Sequence, residues 1–474
     1  MIELPLKNAP SVVVEATVRT VPQQRIVVRG HWNGMPVYAK KFVGMRAKRH
    51  FERDVAGVQK LISARIATPR LLFQGEVQGE SAYVAIYEAI EQVVNAEEAL
   101  RQLNRIERFS LLKKIVVAVA QQHQAGLVQT DLYLKNFVVK DDIVYSLDGD
   151  GIRNLPRFFQ HKQRLNNLAT LLSKMDVLED EHIPELYDCY CQHSGIPAKF
   201  DEGVHVWELV QNIRHRVASG YADKKVFRNC TDVKIARAFG YFIAQARQIA
   251  MEPQTLLSLD AHLDKPERNI KNGRTCTVVR TELAGQDVVI KRYNLKNFWH
   301  GLNRTFRPSR AAVSWANAHR LLISNIATPA PIALVEVRVG ILRRRAYYVS
   351  AYLEAPDIAQ FLIQEQDAEV KKQVAYEVAL LFYRLSLLRI SHGDCKASNI
   401  KILDKKPVLL DLDSMRALPW RFEYRHVKDL KRFMRNWIGD VETTALFKQA
   451  FLLAYPVYDD PWHDGVLARA GIDG

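Results

Sequence analysis

Short runs of alternating apolar and polar residues open each half of the chain, SVVVEATV (11–18) in the first and TCTVVRTEL (275–283) in the second. Alternation of period two predicts half-buried strands. In each half a β-branched strand follows and carries a lysine, VYAKKF (37–42) with Lys40 and VVIKRY (288–293) with Lys291. Next comes a helical pattern, VAGVQKLISA (55–64) or AAVSWANAHRLLIS (311–324), ended by the proline of RIATP or NIATP. A further strand leads to YVAIYE (83–88) or YVSAYLE (348–354). Beyond it the pattern is mainly helical, including LLKKIVVAVAQQHQ (111–124) and VKKQVAYEVALLFYRLSLL (370–388). KIARAFGYFIAQARQIA (234–250) also reads as a helix, lying between the halves.

The two halves are copies. TDLYLKN (130–136) matches GDCKASN (393–399), and SLDGDG (146–151) matches LLDLDS (409–414). These pairs, the lysine strands, the IATP segments and the tyrosine strands occur in one order at near-constant offset, which chance does not supply. The expected fold is therefore α+β, with two tandem domains, each a strand-rich small lobe followed by a helical large lobe. The boundaries read as 1–225 for the first domain, 226–255 for a structured connector and 256–474 for the second.

Composition narrows the class without choosing a function. The 474 residues exceed one ordinary core, and 48% hydrophobic with 25% charged residues is normal for a globular protein. No apolar run approaches the ~18 residues that span a bilayer. The start, MIELPLKNAP, has no secretory pattern, so a cytoplasmic location is expected. Five cysteines, an odd and sparse set, suggest reduced thiols. Cys189, Cys191 and His193 form a short cluster that reads as a helix-side trio, because no second ligand pair stands at zinc spacing. The net charge of +15 favours anionic partners of some kind.

Motif chemistry is more selective. In a protein-kinase-like site, the catalytic-loop Asp faces the attacking hydroxyl, an Asn five residues on holds Mg²⁺, and an Asp after the next hairpin holds the same ion. Mg²⁺ takes hard oxygen ligands, which Asn and Asp supply. Asp394, Asn399 and Asp411 fit this order, as do Asp131, Asn136 and Asp148. Lys396 can neutralise phosphoryl oxygens during transfer. The first copy has Tyr133 in its place, with Lys135 nearby, and Gln129 where the second has His392. Lys40 and Lys291 are the expected nucleotide-phosphate contacts, each needing an acid on the following helix. The first copy offers Glu52 and Asp54; the second offers none, and Asn317 is the substitute within reach. A glycine-rich cradle is weak in both: KNGRTCTV, with Gly273, could fold over phosphates, whereas RGHWNG (29–34) reads equally as a hairpin turn.

The strand lysines, IATP, HGD-x-KASN and LLDLDS resemble the bacterial lipopolysaccharide kinases of the Kdo/heptose kinase group, also called the WaaP or InaA type. The resemblance covers nearly the whole chain, once per half, and includes RFEYRHVKDLKRFMRNW (421–437). It implies protein-kinase-like domains using ATP and Mg²⁺, and a sugar hydroxyl of the lipopolysaccharide core or lipid A as acceptor, met at the cytosolic face of the inner membrane. It further implies Asp131 and Asp394 as hydroxyl-orienting bases. The short interval between Asp411 and Arg421, with no A-P-E, suits a small acceptor better than a peptide. The basic and aromatic stretch 291–320 suits an anionic membrane face or packs inward, and no nucleic-acid partner is expected. Two rivals stand beside this expectation: a tandem pseudokinase scaffold in envelope assembly, and a kinase of another small molecule.

Overall fold

The computed structural model describes the chain apart from residues 1, 157, 200, 239, 250, 264–268, 273–275, 294–307, 340–341, 456–464 and 473–474. The described residues form two compact units, Met1–Ile213 and Arg214–Gly474.

Unit one opens with a six-stranded antiparallel sheet. Its spatial order is Ile2–Leu6, Ala9–Val21, Arg25–Trp32, Met35–Phe42, Tyr83–Glu88 and Leu71–Glu76. Val37 and Ala39, two residues apart, are buried on one face of the lysine strand, and Phe42, two residues after Lys40, is buried on the other. The helix Ala47–Ser63 follows that strand, and its buried stripe Val55, Val58 and Leu61 has helical spacing. RGHWNG is a hairpin: Asn33 and Gly34 both have positive φ between the strands Arg25–Trp32 and Met35–Phe42. That segment is the turn that leads directly into the lysine strand. The turn before Arg25 is made instead by Pro22, Gln23 and Gln24 and contains no glycine.

The large lobe of unit one is built on the helix Arg105–Gln124. Asn104 and Glu107 close a capping box at its start, so the chain enters it with its first amides satisfied. Leu112, Ile115, Val116 and Val119 are buried against Leu168, Leu172, Leu186 and Tyr190 of the helices Gln160–Leu172 and Ile183–Ser194. The Cys189–Cys191–His193 trio lies on the latter helix, where His193 Nδ1 meets the Cys189 carbonyl at 2.9 Å. No cluster of metal-ligating side chains occurs among the described residues, and all five cysteines are free thiols.

Unit two repeats the plan with a seven-stranded sheet, ordered Val233–Ala238, Tyr241–Ala246, Pro331–Val339, Leu342–Ala351, Gln286–Tyr293, Cys276–Leu283 and Asn269–Asn272. The helix expected over 234–250 is thus a β-hairpin, turned at Gly240 with φ 80°. Phe242, Ile243 and Ala244 are consecutive and all buried, because the two faces of this strand pack on different clusters. A strand buried on both sides loses its alternation and imitates a buried helix. Strand register also corrects one pairing of the copies. Lys40 faces Ala85 and Lys291 faces Tyr348, so YVAIYE (83–88) corresponds to residues 346–351, two residues earlier than the YVSAYLE match.

The large lobe of unit two is organised by Ala368–Leu387. Val374, Val378, Phe382 and Leu385 form its buried stripe, and the Phe382 ring packs tilted against Phe433 and edge-on against Phe451, with centroids 5.2 and 5.5 Å away. Of the basic and aromatic stretch 291–320, Trp315 is fully buried and donates to the Val226 carbonyl at 3.1 Å. Arg320 is buried and paired with Asp223 at 2.5 Å. Both pack inward; residues 294–307 lie outside the described residues.

Candidate active site

Each unit places its catalytic-loop motif between a short strand and a hairpin. In unit two, Ile390–Ser391 pairs with Arg416–Ala417, and the hairpin Ile400–Leu403/Lys406–Leu409 lies between them. The Leu410 amide donates to the Asn399 carbonyl at 2.8 Å, which returns the chain to the loop one residue before Asp411. In unit one the Leu147 amide meets the Asn136 carbonyl at 2.9 Å, one residue before Asp148. Asp394, Asn399 and Asp411 are thereby gathered, and so are Asp131, Asn136 and Asp148.

Asn399 Nδ2 donates to the Asp394 carbonyl at 2.8 Å, and Asn136 Nδ2 to the Asp131 carbonyl at 2.9 Å. Using the nitrogen this way leaves the amide oxygen as the atom available to a hard cation. Asp411 has φ 59° and ψ 64°, a left-handed conformation that Asp tolerates better than most residues. Asp148 is extended, with φ −124°. The corresponding aspartates of the two copies therefore leave their loops in different directions.

The strand lysines find different partners. Lys40 Nζ lies 2.8 Å from Asp54 and 3.4 Å from Asp148. Asp54 is fully buried and also accepts the Tyr87 hydroxyl at 2.6 Å. Glu52, the other candidate acid, points to solvent and sits 4.0 Å from Lys48. Two residues apart on a helix means opposite faces, so only one of the pair could serve, and packing selects Asp54. Lys291 instead bonds Asp411 and lies 3.5 Å from Asp413. Burial opposes both charges of the Lys291–Asp411 pair, but their attraction prevails, holding Lys291 above and Asp411 below its ordinary value. Asp413 is itself buried and held by Arg310 at 2.8 Å.

Asn317 does not orient Lys291. Its Nδ2 donates to the Leu412 and Met415 carbonyls at 2.9 and 3.1 Å, fixing the turn that carries Asp411 and Asp413. Counting back from IATP, Asn317 corresponds to Gly57, and Ser314 to Asp54. Gly57 also faces this turn, so closely that a Cβ on it would stand 1.9 Å from the Gly149 carbonyl oxygen. Strand register likewise places Ser350 where unit one has Tyr87. Unit two thus has serines, Ser314 and Ser350, where unit one has the acid and the tyrosine that supports it.

The loops that carry Asp394 and Asp131 differ as well. In unit two, Asp429 of the helix Phe422–Met434 accepts Ser391 Oγ, the His392 amide and the Gly393 amide at 2.8, 2.8 and 2.9 Å. His392 is fully buried and bonds the Leu410 carbonyl at 2.9 Å. Gly393 has φ 81°, and a Cβ there would lie 2.9 Å from the Ser414 carbonyl oxygen, so glycine is needed. In unit one Asn167 holds the place of Asp429 and donates to the Gln129 carbonyl at 2.9 Å. The side-chain amide of the buried Gln129 has no partner among the described residues. A loop gripped by a carboxylate in one copy is held in the other by neutral bonds, from Asn167 to the Gln129 carbonyl and from the Thr130 amide and hydroxyl to the Gly151 carbonyl at 2.9 and 3.0 Å.

Asp394 is flanked by Arg432, which pairs with it, and by Lys396 at 3.8 Å. Asp131 is exposed, and Tyr133 beside it lies under the ammonium groups of Lys135 and Lys174, at 4.9 and 5.2 Å. Gly273 lies outside the described residues. Sequence reasoning missed Asp429, Asp413, Arg432, Tyr87 and Arg25. Asp413 had a visible signal, the repeated D-x-D of LDGDG and LDLDS; Asp429 and Arg432 stood inside the 421–437 stretch with no role attached.

The model of the lipopolysaccharide kinase (Kdo/WaaP) family matches residues 38–190 and 261–455, once in each copy. No curated relative matches the chain. A solved structure described as WaaP in complex with acyl carrier protein is similar at 15% identity and a TM-score of 0.33, over 42% of this chain and 89% of that one. With more than half of its length matched in two regions that each contain a catalytic loop, the chain belongs to the lipopolysaccharide kinase (Kdo/WaaP) family.

Proposed function

We propose that unit two is an ATP- and Mg²⁺-dependent phosphotransferase that acts on a sugar hydroxyl of the lipopolysaccharide core, and that unit one does not perform transfer. The observation that carries this is the grip of Asp429 on Ser391, His392 and Gly393, which presents Asp394 from a rigid loop. Preorganisation of that kind is what positioning catalysis requires. Unit one replaces both Asp429 and His392 with amides, and Lys396 with Tyr133.

In this reading Asp394 accepts the proton of the acceptor hydroxyl as it attacks. Lys291 holds the nucleotide phosphates, and Lys396 balances charge on the phosphoryl oxygens. Asn399 and Asp411 would hold Mg²⁺, consistent with the amide oxygen that the Asp394 carbonyl leaves available and with the carboxylate next to it. When bound, the ion neutralises phosphate charge. Asp413, fixed by Arg310, supports Lys291 in place of the missing helix acid.

No described helix is long and apolar enough to cross a membrane. A core acceptor carried on lipid A would be met by peripheral contact at the cytosolic membrane face. The test is phosphate transfer from labelled ATP to purified core acceptor by the full chain, with mass spectrometry of core from a deletion strain. Asp394→Asn is expected to lower kcat by about 10²–10⁴-fold. Full transfer by that variant, or an unchanged core in the deletion strain, overturns the reading.

A further inference from the structure

One side chain in unit one has no role in the foregoing. Arg25 opens the strand next to the lysine strand, immediately after the Pro22–Gln24 turn. It faces Phe42, two positions from the Val27–Lys40 pair. In unit two Cys276 faces Tyr293, two positions from the Val278–Lys291 pair. The same place in the sheet thus holds a guanidinium in one copy and a thiol in the other. Arg25 is only 9% exposed. Its Nη1 lies 3.4 Å from Asp148 Oδ1, the oxygen that Lys40 also approaches at 3.4 Å. Its Nε is buried with no partner among the described residues.

These groups do not fit a divalent cation. A Mg²⁺ ligand oxygen must approach to about 2.0–2.1 Å. Here Asp148 Oδ1 already faces two fixed positive charges, where Asp411 Oδ1 meets Lys291 alone, and a doubly charged ion at this carboxylate would be repelled by both. Burial opposes the Asp148 charge, yet Lys40 and Arg25 outweigh it and hold the carboxyl well below the usual range. In unit two Cys276 adds no charge, because burial pushes its thiol up and keeps it neutral.

A buried guanidinium with an unused donor is costly unless an anion completes it. Planar N–H forks match phosphate oxygens well. Lys40 keeps the strand position that Lys291 has in unit two, and Asn136 bonds the Asp131 carbonyl as Asn399 bonds that of Asp394. We infer that unit one binds a nucleoside polyphosphate without a divalent cation, with Arg25 supplying the positive charge that a metal would supply in unit two. This rests on the kinase reading of the two copies and deepens it: unit one becomes a metal-independent nucleotide sensor carried on the same chain as a metal-dependent transferase.

The experiment is equilibrium dialysis of the full chain with labelled ATP, first in excess EDTA and then in Mg²⁺. The expected result is one ATP per chain in EDTA and a second once Mg²⁺ is added. Arg25→Cys should weaken the EDTA-resistant site by about tenfold or more, the value of one charge-assisted contact, and Arg25→Lys should retain most of it. Asp411→Asn should remove only the Mg²⁺-dependent site. Titration with Mn²⁺ gives an independent readout: Arg25→Cys should gain a second Mn²⁺ per chain in the presence of ATP. No ATP bound in EDTA, or binding in EDTA unchanged by Arg25→Cys, overturns the inference. If that occurs while Mg²⁺-dependent transfer persists, the kinase reading stands; if transfer is absent while EDTA-resistant binding is present, the reading of unit two falls instead.

Discussion

The carboxylate of Asp429 accepts the backbone N–H of Gly393 at 2.9 Å, joining a large-lobe helix to the residue just before Asp394. Its other two bonds, from the His392 amide and Ser391 Oγ, make it a clamp on the whole turn. Asp429→Asn should convert this clamp to the arrangement of unit one. An amide cannot accept all three donors with the same strength, and its own N–H₂ would face the backbone N–H groups. A loss of about 2–4 kcal/mol is expected in unit two, together with a fall in kcat larger than any change in the KM for ATP. Urea unfolding and steady-state kinetics measure both.

The acid that holds Lys40 can be decided by two substitutions on one helix. Asp54→Ala leaves the buried Lys40 ammonium with Asp148 and the Leu147 carbonyl, at 3.4 and 3.5 Å, and takes from the Tyr87 hydroxyl its Asp54 acceptor. The expected cost is about 3–5 kcal/mol. Glu52→Ala, at the solvent face, should stay within about 0.5 kcal/mol of the parent. Comparable losses in thermal unfolding would contradict the assignment of Asp54.

Gly57→Ala tests the closest approach of helix and loop in unit one. The new methyl group would stand 1.9 Å from the Gly149 carbonyl oxygen, a backbone atom that can yield only if the turn carrying Asp148 moves. We expect a destabilisation of at least about 1–3 kcal/mol. Ala at position 317 in unit two removes the Leu412 and Met415 contacts but creates no clash. Its expected effect is looser hydrogen-exchange protection of the Asp411 turn.

Acid sensitivity should come from His123 in unit one and His319 in unit two, both buried. Burial pushes His123 down to about 4, and His319, packed at 4.5 Å against Trp315, also down to about 4. An unfolded histidine titrates near 6.5. Between these values the unfolded chain binds the proton and the folded chain does not. Stability is therefore complete above the unfolded value and declines as pH falls from 6.5 towards 4, by on the order of 3 kcal/mol per histidine. His123→Gln should flatten the slope in unit one alone. A pH-independent unfolding midpoint over this window would refute the assignment.

The order of motifs along the chain was enough to recover the duplication, the two-lobed plan and the loop residues Asp394, Asn399 and Asp411, with their counterparts in the first half. The physical reason is that each motif is local. Five residues of loop and one short hairpin determine where an Asn and an Asp return, and backbone bonds such as Leu410 to Asn399 complete the arrangement with no distant help. Partners remote in the chain were decided only by packing. Asp54 rather than Glu52 meets Lys40 because one helix face lies on the sheet. Asp429 reaches Gly393 from 36 residues away because the helix Phe422–Met434 crosses beneath the loop. The hairpin at Gly240 was hidden by burial on both faces, and the match of the tyrosine strands by a register that composition does not encode. Arg25 is the sharpest case: in sequence it is one arginine after a turn, and only the strand register shows that it occupies the place of Cys276, and only the packed lobe that it faces Asp148.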